Sequence, residues 1–465
     1  MDPITSAGLP DERTSGLREA RETVSSLMPG LLQDLDRLIA IPSVAFPDFP
    51  PAPVLLMAET VEALFRREDT TGSAEIRLIE IPGGFPAVFA DFPGPPGAPT
   101  VLLYAHYDVQ PAPADQGWTS DPWTATRKDD GRIYGRGAAD DKSGVVIHAG
   151  TLRAFGGRPP VNVKVLIEGE EETISHLEAF VAANPELVAA DAFVIADMGG
   201  IRVGSPAVTT ALRGEVAATV TVRTLEHAVH SGLFGGPVPD ALVALIRILA
   251  TLHDDDGNTV VKGLHSTDWS GGDFDEAVLR HTSGIIDDVQ LVGSGSLASR
   301  LWSRPSATVI GIDAPRVAEA ANILIPQATA KVSLRIAPGA DAARELDVLV
   351  EHLERAAPWG VEVEVTRVKV GWPFAVPVNG PILRAAEDAL QDAFSQPSSR
   401  LGSGGSIPLV ASLASAAPAA EIILWGAEDM AQARIHASDE SVDPGEVERM
   451  VLAQVRLLQR IGTVS

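Results

Sequence analysis

Histidine and acidic residues follow directly after several short apolar runs in this sequence of 465 residues. His106 and Asp108 come after the run 100–105, and Asp197 comes after the run 192–196. Four acids between residues 168 and 172 come after the run 161–167. Imidazole and carboxylate groups bind divalent metal ions and also act as general acids and bases. The pattern therefore indicates a site for a metal or for acid–base chemistry.

His106 and Asp108 begin the segment HYDVQP. At a spacing of two residues in extended chain their side chains point to the same side, so one can bind a metal while the other orients it. Taken alone, the HxDxxP pattern is more typical of a His–Asp pair on the surface.

Glycines at 135, 137 and 144 surround Asp140 and Asp141 just before a helical pattern. A phosphate-binding loop is one interpretation, but the segment lacks a following GKS or GKT and the GxGxxG spacing. We interpret the glycines as allowing the backbone to wrap closely, with Asp140 pointing into the site. Asp141 is expected to cap the following helix.

The acidic run 168–172 would usually form a solvated surface. It follows a run that should be buried, so repulsion among its carboxylates would be costly unless cations or protons neutralised it. His436 similarly stands after a predicted strand, 421–425. Each of these residues has an ordinary structural explanation by itself. Together, at successive strand ends, they predict a shared site.

An alternation of apolar runs and helical periodicity must position these residues. The runs 100–105, 161–167 and 192–196 predict buried strands, and helical spacing follows at 144–155 and 177–183. We therefore expect an α/β sheet covered on both faces, which binds ligands beyond the carboxyl ends of its strands.

The segment 210–377 differs from the rest of the chain. Its pattern predicts the order β-α-β-β-α-β, typical of a ferredoxin-like α+β sandwich. We expect it to form a second domain inserted into a catalytic α/β domain made of residues 1–209 and 378–465. The stretch 253–305 has no clear pattern.

The composition excludes several classes of protein. With 62 acidic and 36 basic residues the formal net charge is −26, which disfavours nucleic acid and anionic membranes as partners. Without cysteine, any metal must be bound by His, Asp or Glu. The first 20 residues lack the apolar core of a signal peptide, and no apolar run reaches about 18 residues. We expect a soluble cytoplasmic protein.

Six segments resemble, in their order, the co-catalytic zinc peptidases that include carnosinases, dipeptidases, glutamate carboxypeptidase, acetylornithine deacetylase and succinyl-diaminopimelate desuccinylase. The segments are HYDVQP (106–111), YGRGAADDKSG (134–144), EGEEE (168–172), IADMG (195–199), HSGLFGG (230–236) and IHASDE (435–440). The resemblance extends from about residue 30 to the end. It implies a zinc-peptidase-like catalytic domain with an inserted ferredoxin-like lid and dimerisation domain.

The resemblance also implies a set of metal ligands. His106, Asp140 and Asp197 would bind one divalent ion, while Asp140, Glu172 and His436 would bind the other. Asp140 would then bridge the two ions. Zinc is the expected metal, with manganese or cobalt as alternatives.

Roles for other residues follow from the same resemblance. Asp108 corresponds to the residue that buttresses the first histidine, and Glu171 to the general base that acts on a metal-bridging water. The peptide bond between Asp140 and Asp141 is expected to be cis. His230 corresponds to a lid histidine that stabilises the oxyanion in the neighbouring subunit, which implies a homodimer.

The dipeptidase and carnosinase branch is the most similar one. Arg335 resembles its substrate-carboxylate clamp, although an exposed strand arginine is the alternative, and Gly405 and Ser406 belong to its Gly-Gly-Ser-Ile-Pro loop. The branch usually has Arg-Glu before this loop, where this chain has Gly402 and Ser403. Losing that carboxylate leaves recognition of a free substrate amine open.

We therefore expect a metal-dependent dipeptidase whose substrates carry a free C-terminal carboxylate. The alternative is an amidohydrolase of N-acyl amino acids, of the deacetylase or desuccinylase type. A third hypothesis, a binding protein without activity, is disfavoured because Glu171 and all five ligand residues are present.

Overall fold

The computed structural model describes residues 10–405 and 407–463. Its helices are α1 (Pro10–Ile39), α2 (Ala52–Glu68), α3 (Lys142–Ala154), α4 (Leu177–Ala183), α5 (Ser231–Phe234), α6 (Ala241–Ala250), α7 (Glu276–Ser283), α8 (Ala342–Arg355), α9 (Pro381–Phe394), α10 (Pro408–Ala416) and α11 (Pro444–Thr463). Among these described helices, none has the length and apolar character needed to cross a bilayer.

The strands form one large sheet, one four-stranded sheet and three short pairings or ribbons. They are β1 (Glu75–Ile79), β2 (Ala87–Phe92), β3 (Thr100–His106), β4 (Thr126–Arg127), β5 (Ile133–Tyr134), β6 (Asn162–Glu168), β7 (Ala192–Ile195), β8 (Gly199–Gly200), β9 (Ala207–Leu212), β10 (Gly214–Arg223), β11 (Val229–His230), β12 (Ser306–Asp313), β13 (Ile323–Leu324), β14 (Gln327–Ile336), β15 (Glu362–Gly371), β16 (Phe374–Ala375), β17 (Ser399–Ser403), β18 (Glu421–Leu424), β19 (Glu428–Asp429) and β20 (Ser441–Val442).

The large sheet is covered on both faces, as its apolar strands predict. Its order is β1-β2-β6-β3-β7-β18-β9-β16, with β17 also paired to β9. Along β3, Val101 and Leu103 enter the core shared with α1, α3, α9 and α11, whereas Leu102 and Tyr104 enter the core shared with α4 and α10. This alternation follows from the two-residue period of a strand. It explains why the strand sequences are apolar throughout.

Parallel pairing brings several strand ends to one edge of the large sheet. His106 at the end of β3 pairs with Glu168 at the end of β6. On the other side of β3, Tyr104 pairs with Ile195 of β7, which in turn pairs with Leu424 of β18. Residues that follow these four strands therefore leave the sheet side by side.

The small sheet has the order β12-β14-β10-β15, and all of its pairings are antiparallel. Helices α6 and α8 pack on one of its faces, where Val220, Leu245 and Leu349 are fully buried. The order of elements is β10-α6-β12-β14-α8-β15, as the sequence predicted. The fold prediction, an α/β sheet with an inserted ferredoxin-like α+β unit, is confirmed.

The chain passes between the two sheets at two places. Arg213 joins β9 of the large sheet to β10 of the small sheet, and residues 372–373 join β15 to β16. The domain limits that we placed at residues 210 and 377 stay a prediction. The strands themselves change sheets within a few residues of both limits.

The stretch 253–305, whose sequence has no clear pattern, contains α7 and a π-helical segment, Ser299–Ser303. Asp275 caps α7 by accepting hydrogen bonds from the N–H groups of Ala277 and Val278. Trp302 is buried in a small core that this stretch shares with Leu401 of β17. The stretch therefore packs against the large sheet through Trp302.

His148 on α3 gives the fold a pH-dependent contact. Its Nε2 donates to the backbone carbonyl of Tyr104 over 2.8 Å, and burial lowers the pKa of His148 to about 4 from an ordinary value of 6.5. Between pH 6.5 and pH 4, His148 is therefore protonated in the unfolded chain but stays neutral in the folded chain. Because the unfolded state binds the extra proton, the free energy of unfolding falls as the pH falls through this window.

We expect this group to lower the free energy of unfolding by about 2 kcal/mol between pH 7 and pH 5. In the variant His148→Gln that part of the pH dependence should disappear. Urea unfolding of both proteins at the two pH values measures the difference, because all other titrating groups are shared. An unchanged pH dependence in the variant would contradict the proposed contribution.

Candidate metal centre

The acids and histidines predicted as metal ligands converge beyond the carboxyl ends of β3, β6, β7 and β18. Asp140 lies at their centre. Its Oδ1 is 2.9 Å from Nε2 of His106, and its Oδ2 is 3.0 Å from Nε2 of His436. The two oxygens of one carboxylate thus face two different imidazoles, as a bridging ligand requires.

One group of potential donors consists of Asp140, Glu172 and His436, whose donor atoms lie within 4.8 Å of one another. Nε2 of His436 is 3.1 Å from Oε2 of Glu172. Gln110 donates a hydrogen bond to this same oxygen over 2.8 Å. Its amide therefore fixes the carboxylate of Glu172 in the direction of the histidine.

A second group consists of His106, Glu171 and Asp197, again within 4.8 Å. Nδ1 of His106 lies 3.4 Å from Oδ1 of Asp108, on the ring side opposite Asp140. The two oxygens of Asp108 also accept the backbone N–H groups of Glu171 and Glu172, each over 3.1 Å. The same Nδ1 hydrogen-bonds to the backbone carbonyl of Asp108 over 3.1 Å. Asp108 thus orients the imidazole with both its carbonyl and its carboxylate, and the acidic segment with its carboxylate.

The electrostatics of the site call for cations. Burial raises the pKa of Asp197 to about 6, and burial together with Asp197 raises the pKa of Glu171 well above its usual range. Hydrogen bonds to Asp140 and Glu172 raise the pKa of His436 to about 10. The isolated chain can stabilise this many buried carboxylates only by holding protons among them. Divalent ions remove that need.

The donor chemistry fits metal ions of intermediate hardness. Each group offers one imidazole nitrogen together with carboxylate oxygens, and the two histidine rings flank Asp140. Zinc, manganese and cobalt accept this combination of ligands. The residues present therefore fit a pair of divalent ions.

Glu440 holds the loop that carries Asp140. Its buried carboxylate accepts the backbone N–H groups of Gly137, Ala139 and Asp140 over 3.0, 3.0 and 3.1 Å. Arg136 adds an ion pair of 2.6 Å. Gly137 has a φ of 80°, which side chains rarely allow, so the loop needs a glycine there.

Asp141 acts as the sequence predicted, as the N-cap of α3. It accepts the N–H group of Gly144 over 3.1 Å and also that of His106 over 3.2 Å. The peptide bond between Asp140 and Asp141 is cis, as the resemblance implied.

The remaining predicted residues lie outside both donor groups. His230 is exposed, and its Nδ1 accepts the N–H group of Gly232. Arg335 on β14 is partly exposed, with Nη1 3.7 Å from Oε2 of Glu215. Gly405 donates to the hydroxyl of Ser403 over 3.1 Å. Ser406 lies outside the described residues.

The unusual glycine before this loop has a structural explanation. A Cβ atom at Gly402 would lie 2.5 Å from Cβ of Trp302. The indole of Trp302 therefore occupies the space that a larger residue at 402 would need. No comparable contact accounts for Ser403.

Sequence reasoning assigned no role to Gln110, Glu428 or Glu440. Gln110 and Glu440 stand inside the motifs HYDVQP and IHASDE, so the motifs contained them without indicating a role. Glu428 follows β18 by four residues, the same strand-end signal that identified the other acids. One of its carboxylate oxygens belongs to a further group with Asp140 and Asp197.

Comparison with known sequences places this arrangement in a family. The sequence model of peptidase family M20/M25/M40 matches residues 102–460 and so spans the two donor groups and the inserted unit. The chain belongs to peptidase family M20/M25/M40. It is therefore a metal-dependent peptidase, as the motifs indicated.

Individual members of the M20/M25/M40 family align over most of the chain. The cysteinylglycine-S-conjugate dipeptidase of Corynebacterium striatum is 42% identical over 373 residues, which cover 78% of this chain and 82% of that protein. The Beta-Ala-His dipeptidase of Rattus norvegicus is 29% identical and covers 82% of this chain and 79% of its own length.

Solved structures of two dipeptidases have the same fold. The dipeptidase Dug1p of Saccharomyces cerevisiae gives a TM-score of 0.80 at 21% identity and covers 96% of this chain and 98% of that chain. Human carnosine dipeptidase 1 gives a TM-score of 0.79 at 22% identity, with coverages of 96% and 99%.

Proposed function

We propose that this M20/M25/M40 peptidase is a dipeptidase that uses two divalent ions, zinc in the first instance, and acts on substrates with a free C-terminal carboxylate. The observation that carries the proposal is the position of Asp140, whose two oxygens lie 2.9 and 3.0 Å from two histidines. A carboxylate shared in this way suits two ions better than one. The dipeptidase activity named for the relatives supports the choice of substrate.

In this proposal, His106, Asp140 and Asp197 hold one ion, and Asp140, Glu172 and His436 hold the other. When bound, such ions polarise the scissile carbonyl and lower the pKa of water toward neutrality. Glu171 accepts the proton of the attacking water and passes it to the leaving amine. Asp108 is a positioning residue, because it fixes both His106 and the backbone of Glu171.

Arg335 is proposed to bind the C-terminal carboxylate of the substrate. Its weak contact to Glu215, at 3.7 Å, leaves most of its guanidinium free for a bidentate pair. Arg213 is a second cation near Arg335. Burial and the charge of Arg335 lower the pKa of Arg213 to about 10, so an anion bound between the two guanidinium groups would relieve their repulsion. The loop residues Gly405 and Ser406 are proposed to contact the substrate backbone.

A homodimer formed through the inserted unit is part of the same proposal, with His230 reaching the partner's metal centre. His230 is exposed and stands outside the donor groups of its own chain. Next to it, Leu233 and Ile323 expose 77% and 43% of their surface, which suits an interface. A cytoplasmic location is in keeping with the net charge of −26 and the cysteine-free composition.

Hydrolysis of N-acyl amino acids is the second candidate, favoured by one observation. Ser403 offers no charge to bind a substrate amine at the position where similar sequences have an acid. An acylated substrate would not need such a charge. The two candidates share the metal centre and differ only in what they accept on the amino side of the scissile bond.

A substrate panel with added zinc or manganese distinguishes these functions. We expect unblocked dipeptides to be hydrolysed at least about ten times more efficiently, in kcat/KM, than N-acetyl or N-succinyl amino acids, a difference of about 1.4 kcal/mol. Dipeptides amidated at the C-terminus should be poor substrates because they lack the charge that Arg335 binds. Activity confined to the acyl series would overturn the dipeptidase assignment in favour of the second candidate.

A further inference from the structure

Glu428 is brought to the metal centre by an unusually close contact between two strands. Its strand β19 runs parallel to β8, and Glu428 pairs with Gly199. A Cβ atom at position 199 would lie 1.9 Å from the carbonyl oxygen of Glu428. Only glycine permits this approach. Since Gly199 comes two residues after Asp197, the pairing brings Glu428 close to Asp197 from the neighbouring strand.

The carboxylate of Glu428 lacks a partner. Its Oε1 is buried and makes no hydrogen bond, and no Lys, Arg or His of the described residues forms an ion pair with it. A carboxylate oxygen lies within 4.8 Å of donor oxygens of Asp140 and Asp197. A buried carboxylate without hydrogen bonds is unfavourable, so the site is built to receive a positive group.

Glu428 also lines a cavity that opens beside the metal centre. The cavity has a volume of about 380 Å³, a size that suits part of a small ligand. Met198, Trp302 and Leu401 form apolar walls, and Ser403 contributes an uncharged hydroxyl. Glu428 and its neighbour Asp429 are the acids of this lining, and Asp429 is paired with Arg132 at 2.8 Å. Arg434, which is exposed, is the basic residue of this lining. Glu428 therefore supplies the unpaired negative charge among the acids of the cavity.

The chemistry of a dipeptide matches this position. A single carbon atom separates the α-ammonium group of a dipeptide from its scissile carbonyl. When the carbonyl lies between the two donor groups, the ammonium group must lie in their immediate surroundings. Glu428 is the neighbouring acid that our assignment of ligands leaves unused.

We propose that Glu428 binds the free α-ammonium group of the substrate and makes the enzyme select dipeptides with an unblocked amine. This inference rests on the proposed dipeptidase function and deepens it. It also accounts for Ser403, because the acid that recognises the amine then comes from β19 rather than from the end of β17. Trp302 and Leu401 would contact the side chain of the first substrate residue.

The test compares two substrates that differ only in the amine, alanylglycine and its deaminated analogue propionylglycine. The wild-type enzyme is expected to prefer alanylglycine. In Glu428→Gln, kcat/KM for alanylglycine should fall about 10- to 100-fold, mainly through a higher KM, because a charged hydrogen bond is lost. The value for propionylglycine should change less than about twofold, and Glu428→Asp should retain part of the preference.

The metal content of Glu428→Gln and a control variant distinguish amine binding from metal binding and from a general effect of removing an acid. Glu428→Gln should keep the metal content of the wild type, since its role is to bind substrate. Glu75→Gln, an exposed acid on β1 paired with Arg77, should leave both substrates unaffected. Melting curves establish that the variants are folded.

The following results would overturn the inference. Equal losses for both substrates, or a loss of metal in Glu428→Gln, would make Glu428 a metal ligand or a structural residue. An undiminished preference for the amine in a folded Glu428→Gln would refute Glu428 alone and leave the dipeptidase function standing. A wild-type enzyme that hydrolyses alanylglycine without preference for the amine would refute the inference alone. Activity on propionylglycine with none on alanylglycine would also refute the dipeptidase function.

Discussion

Replacing Glu171 by glutamine should reduce kcat for dipeptides by about 10²- to 10⁴-fold while leaving the metal content unchanged. Glutamine keeps the size of the side chain and one oxygen, but it cannot accept and return a proton. The side chain belongs to the group with His106 and Asp197, whose donor atoms lie within 4.8 Å. The backbone N–H of Glu171 stays bound to Asp108, so the segment should keep its position.

Glu170 provides a matched control for this substitution. It belongs to the same acidic run, yet its carboxylate contacts Nδ1 of His176 at 2.9 Å and takes part in neither donor group. We expect Glu170→Gln to change kcat less than about threefold. Turnover in Glu171→Gln equal to that of the wild type, with both metals bound, would exclude Glu171 as the base.

Replacing Asp140 by alanine should lower metal binding to one ion or fewer and abolish activity. In the proposed assignment this carboxylate is common to the ligand sets of both ions, and each of its oxygens faces a histidine. Its loss should bring the metal content from about two ions per chain to one or fewer and turnover below detection. A metal that binds only the folded chain raises the free energy of unfolding by about 4 kcal/mol when its free concentration is about 1,000 times its dissociation constant. The variant should lose most of this stabilisation.

The experiment compares chelator-treated and zinc-reloaded protein by elemental analysis and thermal melting. Asp36→Ala is the control, because Asp36 pairs with Arg127 on the surface, away from the metal centre. Wild-type protein that neither retains divalent ions nor melts higher in their presence would contradict the two-ion assignment. Full metal content in Asp140→Ala would contradict the bridging role.

Much of the fold is predictable because the residues that specify each strand or helix are neighbours in the sequence. Apolar runs of strand length and the 3.6-residue spacing of helices specify β3, β6, β7 and the order of the small sheet. The stretch 253–305 is harder to interpret because its core depends on partners distant in sequence, such as Trp302 against Leu401. Its helix α7 nevertheless has local signals, an N-cap at Asp275 and a left-handed Gly284.

The candidate site is predictable where a strand end marks it. His106 ends β3, and Glu172 and Asp197 come four and two residues after β6 and β7. Because these strands pair in parallel, the residues at their ends lie close together. The division of ligands into two sets came from the resemblance. The contacts of Glu440 with the loop of Asp140 and the burial of Glu428 depend on segments that meet only in three dimensions.

The tie between Glu440 and the loop 137–140 has a consequence for the synthesis of the chain. His436 and Glu440 come some 300 residues after the loop that they complete. A chain still growing on the ribosome has the first strands of the large sheet but not the residues that close the centre. The peptidase should therefore stay inactive during synthesis until His436 and Glu440 have been added and folded onto this loop.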